Sequence, residues 1–191
     1  MKKCLSFLFI GPPCIKALDL AIIIDKSKSV GKGNLRRLKR NLVSFLHLFE
    51  VSAQGTHVGM ITFSDNADLL FDFNDDRYHT EDQLRERIKE IPLKLELKTR
   101  TDLALTLAKE KLFTVEGGDR PNVPNVCVVF TDGKSTGKPK NKGFVPIPKT
   151  VEYLTEVGIH LFIHPASQAV IYPFIYSSSQ PSIYPSVHPF R

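Results

Sequence analysis

The chain has only three cysteines, Cys4, Cys14 and Cys127, and an odd count cannot close a disulfide framework by itself. Cys127 falls inside an apolar strand pattern, where a thiol behaves as a small buried hydrophobe. No apolar stretch reaches the length a membrane span needs. No H-E-x-x-H helix and no Ser/His/Asp set can be assembled from recognisable motifs, and no positioned base marks a phosphoryl-transfer enzyme. Neither sign of charge dominates: 26 Lys and Arg face 20 Asp and Glu, a net charge of +6. That mild basicity is compatible with acidic glycans or matrix and does not call for nucleic acid. The 191 residues, 42% hydrophobic and 24% charged, fit one globular domain with a sizeable core.

What the chain does have is a carboxylate at the end of a buried strand. The run Leu18-Asp19-Leu20-Ala21-Ile22-Ile23-Ile24 reads as a parallel strand covered on both faces. It leads into Asp25-Lys26-Ser27-Lys28-Ser29, which gathers one carboxylate and two hydroxyls at i, i+2 and i+4. Open α/β sheets place ligands at the carboxyl ends of their strands. These oxygens are hard donors, suited to a cation such as Mg²⁺ rather than to zinc or copper. A second apolar run, Val126 to Phe130, leads into Thr131-Asp132-Gly133 in the same way. Between the two, Lys98-Thr99-Arg100-Thr101-Asp102 sets threonines ahead of a helical pattern. Taken singly, each motif reads equally well as loop hydroxyls and carboxylates capping helices. Three loops offering hard oxygens at one rim of one sheet make a joint pattern.

With these motifs the chain resembles a von Willebrand factor type A domain, the fold shared with integrin I domains, over roughly residues 14 to 165. The three loops resemble its metal-ion-dependent adhesion site. The resemblance implies a metal site of Asp25, Ser27, Ser29, Thr99 and Asp132, with Thr101 as the alternative to Thr99. It implies a bound Mg²⁺, or Mn²⁺ or Ca²⁺, and no enzymatic turnover. The partner it implies is an extracellular matrix or cell-surface protein offering a Glu or Asp side chain. It also implies a secreted protein, in keeping with the basic start Met1-Lys2-Lys3 and the apolar residues that follow, read as a signal peptide over 1–13. In related domains a cysteine near Cys14 pairs beyond the last helix; here Cys14 is free, paired outside the chain, or orphaned.

The rest of the chain reads as a doubly wound, mostly parallel α/β sheet with one antiparallel edge strand and helices on both faces. Residues 32–51 carry Leu35, Leu38, Leu42, Phe45, Leu46 and Phe49 at helical spacing. Residues 57–63 and 67–73 read as a hairpin, the second being the antiparallel edge. Helices follow over 80–91, 102–112 and 149–157, and a last strand over 159–163. Past Pro165 the resemblance fails. A further helix and edge strand are expected, yet prolines interrupt a Ser- and Tyr-rich stretch, read as a disordered tail over 166–191 with the fold cut short.

Arg36-Arg37-Leu38-Lys39-Arg40 has the X-B-B-X-B-B order of heparin-binding clusters, with Arg36, Lys39 and Arg40 on one helical face. It is read either as a site for sulfated glycans or, more simply, as a solvated face opposite the leucines. Gly133-Lys134-Ser135 lacks the upstream glycine of a phosphate-binding loop, since Val128 stands there. His160 and His164 have no third ligand and read as core or strand-end residues. The same fold would also serve an intracellular scaffold, and secretion separates that alternative from an adhesion module.

Overall fold

Strand β1, Leu18–Asp25, is buried at every residue and forms the middle of the sheet. The structure is a computed structural model, and it describes residues 17–132, 135–136, 138 and 146–166. The expectations for the leader, for Cys4 and Cys14, for Gly133 and for the tail beyond Ala166 lie outside the described residues.

After β1 come helix α1, Gly31–Leu46, strands β2, Thr56–Phe63, and β3, Ala67–Phe71, and a 3₁₀ turn at Asp76–Tyr78. Helix α2, Glu81–Glu90, and helix α3, Thr101–Leu107, follow, the latter continuing as a π turn over Ala108–Leu112. Strand β4, Asn125–Phe130, helix α4, Ile147–Glu156, and strand β5, Ile159–His164, complete the described elements. The sheet order is β3-β2-β1-β4-β5. All pairings are parallel except β2 with β3, which is antiparallel. The expected class, a mostly parallel sheet with one antiparallel strand and helices on both faces, is the one observed.

Side chains alternate across β1, and the alternation builds two cores. Leu20, Ile22 and Ile24 pack with Leu35, Leu38, Leu42 and Phe45 of α1 and with Leu84 and Ile88 of α2. Ala21 and Ile23 face the other way, toward Ala104, Leu105 and Ala108 and toward Leu154 of α4. Gly59 of β2 lies beneath this second layer. A Cβ there would sit 2.7 Å from Leu112 Cδ2 and 3.0 Å from Phe73 Cε1, so the π turn reaches the sheet only over a glycine.

Three element ends differ from the periodicity. Helix α1 stops at Leu46, five residues short of Val51. The chain then doubles back, with the Thr56 amide donating to the Glu50 carbonyl at 2.7 Å. Phe49 still packs edge-on against Phe45 at 5.0 Å, so the apolar spacing runs on where the helix does not. Strand β3 ends at Phe71 because Phe73 leaves it, its amide donating to the Gly117 carbonyl and its ring joining the second core. The helix read over 102–112 changes to π geometry at Ala108, where the Phe113 amide donates to the Ala108 carbonyl.

At the far end of the sheet Asp19 is fully buried against Arg120. The Arg120 amide and Nε donate to its two carboxylate oxygens at 2.9 and 2.8 Å, and Nη2 donates to the Leu18 and Gly55 carbonyls. With its hydrogen bonds filled, the pair ties the starts of β1 and β2 to the loop before β4.

Candidate metal centre

Asp25 is the last residue of β1 and is fully buried. Its Oδ1 accepts the Ser27 amide at 2.7 Å, and its Oδ2 accepts the Thr131 hydroxyl at 2.6 Å. One carboxylate therefore fixes both the first loop and the end of β4. Burial pushes its pKa above the usual carboxylate range, against the hydrogen bonds from Thr131 and Ser27, and the nearby Asp132 carboxylate adds to the push. A buried anion with a second anion beside it is what a cation would relieve.

The two serines of the first motif meet over this carboxylate. Ser27 Oγ and Ser29 Oγ are 2.7 Å apart, with Ser27 buried and Ser29 exposed. Neighbouring ligands in a Mg²⁺ octahedron of about 2.1 Å radius lie about 3 Å apart. The hydroxyl pair thus fits one edge of such a shell, and the donor set as a whole is hard oxygen.

The second loop is zipped to the first. The Lys28 amide donates to the Glu96 carbonyl at 2.7 Å, and the Glu96 amide donates back to the Lys26 carbonyl at 3.2 Å. The Ser64 hydroxyl donates to the Glu96 carboxylate, and the Arg100 amide donates to the Ser64 carbonyl at 2.9 Å. Thr99 and Thr101 are both buried, and Thr101 opens α3. Thr99 is tied to the third loop, its amide donating to Thr136 Oγ1 at 3.0 Å and its carbonyl accepting the Thr136 amide at 2.8 Å. Asp132, two residues past β4, is exposed. The structure thus joins the loops of Asp25, Ser27, Ser29, Thr99 and Asp132 at one rim.

Three supporting groups carry no motif of their own in the sequence. Thr131 reads in the sequence only as part of a strand end, although its hydroxyl is what anchors Asp25. The Arg100 guanidinium grips Asp102 with Nε and Nη2 at 2.9 and 2.6 Å, both side chains buried, and so braces the backbone on either side of Thr101. Glu96 carries no sequence signal, because its backbone bridge to the first loop and its carboxylate's bond to Ser64 both join residues distant in the chain. Of the two lysines inside the first motif, Lys26 is paired with Asp68 at 3.1 Å, and Lys28 is exposed.

The basic cluster divides. Arg36, Arg37 and Arg40 are exposed on α1. Lys39 is not on their face: its Nζ donates to the Lys89 and Ile91 carbonyls at 2.6 and 2.7 Å, closing the C-terminus of α2, and burial lowers its pKa. His164 is a buried strand-end residue, and His160 is exposed.

Comparison with known proteins gives a consistent result. The von Willebrand factor type A domain profile matches residues 19–172. Human Matrilin-4 is 36% identical over 121 residues, 62% of this chain and 19% of Matrilin-4. Mouse von Willebrand factor A domain-containing protein 2 is 32% identical over 149 residues, 78% of this chain and 17% of that protein. The chain therefore spans only a small part of the length of these relatives. Among solved structures, proximal thread matrix protein 1 from the mussel byssus, with a zinc-occupied MIDAS motif, superposes with a TM-score of 0.70 at 19% identity, over 80% of this chain and 38% of that one. Manganese-loaded TRAP protein of Plasmodium vivax superposes with a TM-score of 0.67 at 16% identity, over 81% of this chain and 59% of that one.

Proposed function

This chain belongs to the von Willebrand factor type A domain family, and from that membership we propose that it is a secreted adhesion module binding an acidic side chain of a matrix or cell-surface protein through a divalent cation. The observation that carries the proposal is the paired Ser27 and Ser29 hydroxyls, 2.7 Å apart above a buried Asp25 that both neighbouring loops hold in place. Ser27, Ser29 and Thr99 would hold the ion through hydroxyls, with Asp25 and Asp132 beside it, directly or through water. Neutral hydroxyls and few carboxylates leave the bound ion, Mg²⁺ or another divalent cation, electrophilic enough to accept a Glu or Asp carboxylate at an open position. Asp25, with both oxygens engaged, orients the serine loop and supplies negative charge from below. The role is binding, not turnover.

Support comes from the donor chemistry and from the zinc- and manganese-bearing neighbours of the same fold. Secretion follows the family resemblance and the basic, apolar start of the chain. The test is binding to immobilised matrix proteins whose carboxylates are either intact or amidated. Binding in Mg²⁺ that disappears with EDTA and with amidation supports the proposal. Binding that survives both overturns it.

A further inference from the structure

From Lys26 to Phe49 there is no acidic residue, while seven lysines and arginines fall in that stretch, one more than the net charge of +6 carried by the whole chain. Helix α1 holds five of these cations, all within Gly31–Arg40, with no acidic residue in its first turn and no basic residue in its last. A helix dipole favours the opposite arrangement, anions at the start and cations at the end. Lys32, the one cation in the first turn, is therefore placed against local helix stability.

The structure sorts these cations. Lys26 and Lys39 are engaged with Asp68 and with the end of α2. Lys32, Arg36 and Arg40 are exposed and follow one another at i, i+4 and i+8, about 6 Å per step along the helix. Exposed Lys28 lies four residues ahead of them, on the metal loop. Among the described residues none of these four has an acidic partner within ion-pair distance. The neighbouring helix α2 behaves differently: Arg85, Arg87 and Lys89 are each paired with a carboxylate of α2 itself. Two adjacent helices of similar basic content thus present one neutralised surface and one bare row.

We propose that the row Lys32, Arg36 and Arg40 binds a linear sulfated glycan, independently of the cation site. The remaining exposed residues of α1, Gly33, Arg37 and Ser44, offer no aromatic ring for stacking bases and no apolar side chain for entering a lipid interface. Evenly spaced charge is what the row has to offer, and a chain of sulfates is satisfied by charge contacts alone.

The experiment measures binding of a heparin-derived dodecasaccharide to the 191-residue chain in NaCl, with and without EDTA. Variant K32Q/R36Q/R40Q is compared with R85Q/R87Q/K89Q, which removes the same formal charge from α2. The row variant binds at least about 10-fold more weakly, and its dependence of log affinity on log salt is shallower by about two to three. The α2 variant stays within about 2-fold of wild type, and EDTA changes nothing. The row variant melts no lower than wild type, since it relieves Lys32 at the helix start and breaks no ion pair among the described residues. Equal weakening in both variants, no weakening in the row variant, or loss with EDTA overturns the proposal. So does equally tight, row-dependent binding of a DNA duplex or of phosphatidylserine vesicles.

Discussion

Asp25 shows how much one side chain can organise. It closes the serine loop through the Ser27 amide and holds the third loop through the Thr131 hydroxyl, while remaining buried. The motif spacing made Asp25, Ser27 and Ser29 legible in the sequence, because i, i+2, i+4 oxygens after an apolar run are a local pattern. Thr131 and Glu96 were not legible, since their contacts, to Asp25 and to the loop of Ser27, cross 106 and about 70 residues of chain. Cys127, a core residue by its place in the strand pattern, is fully buried in the layer beneath α3 and α4. Burial pushes its thiol from an ordinary 9.0 up to about 12. Below pH 9 both folded and unfolded chains keep the proton and the thiol adds no pH dependence. Between 9 and 12 only the unfolded chain ionises, so stability falls as pH rises through that window. Peptide mapping after iodoacetamide at pH 8 should find Cys127 unmodified in the native protein and modified in urea. Rapid native modification would place the thiol outside the core.

At the scale of elements, the sequence patterns located the five strands and four α-helices described, and missed the 3₁₀ turn at Asp76–Tyr78 and where some elements stop. Helix α1 reads on to Val51 because Phe49 keeps the helical spacing, yet Phe49 packs on Phe45 from a turn. Strand β3 reads on to Phe73 because alternation continues, yet Phe73 belongs to the opposite core layer. The X-B-B-X-B-B order placed Lys39 beside Arg36 and Arg40, yet Lys39 closes α2. In each case a tertiary contact consumes a residue that the period assigned elsewhere. Gly59 belongs to the same class, a glycine in a strand whose reason is the approach of Leu112 and Phe73. Gly59→Val should destabilise the fold by about 1–3 kcal/mol through overpacking, read as a lowered urea midpoint with an unchanged slope. A variant as stable as wild type would mean that the π turn can lift from the sheet without cost.

For the molecule as a whole, the sheet places three loops at one rim and the Asp19–Arg120 pair at the other end. The pole with the candidate site is held by hydrogen bonds between loops. Among the described residues no helix is long and apolar enough to cross a membrane. The central claim is that the rim binds a divalent cation through Ser27, Ser29, Thr99 and the two aspartates. Titration calorimetry of Mg²⁺ and of Mn²⁺ into the 191-residue chain, beside a folded Asp132→Ala variant, tests it most directly. The prediction is saturable binding of one ion per chain, weakened by about 10- to 100-fold in the variant. Wild-type affinity retained by the folded variant would contradict the assignment of the site.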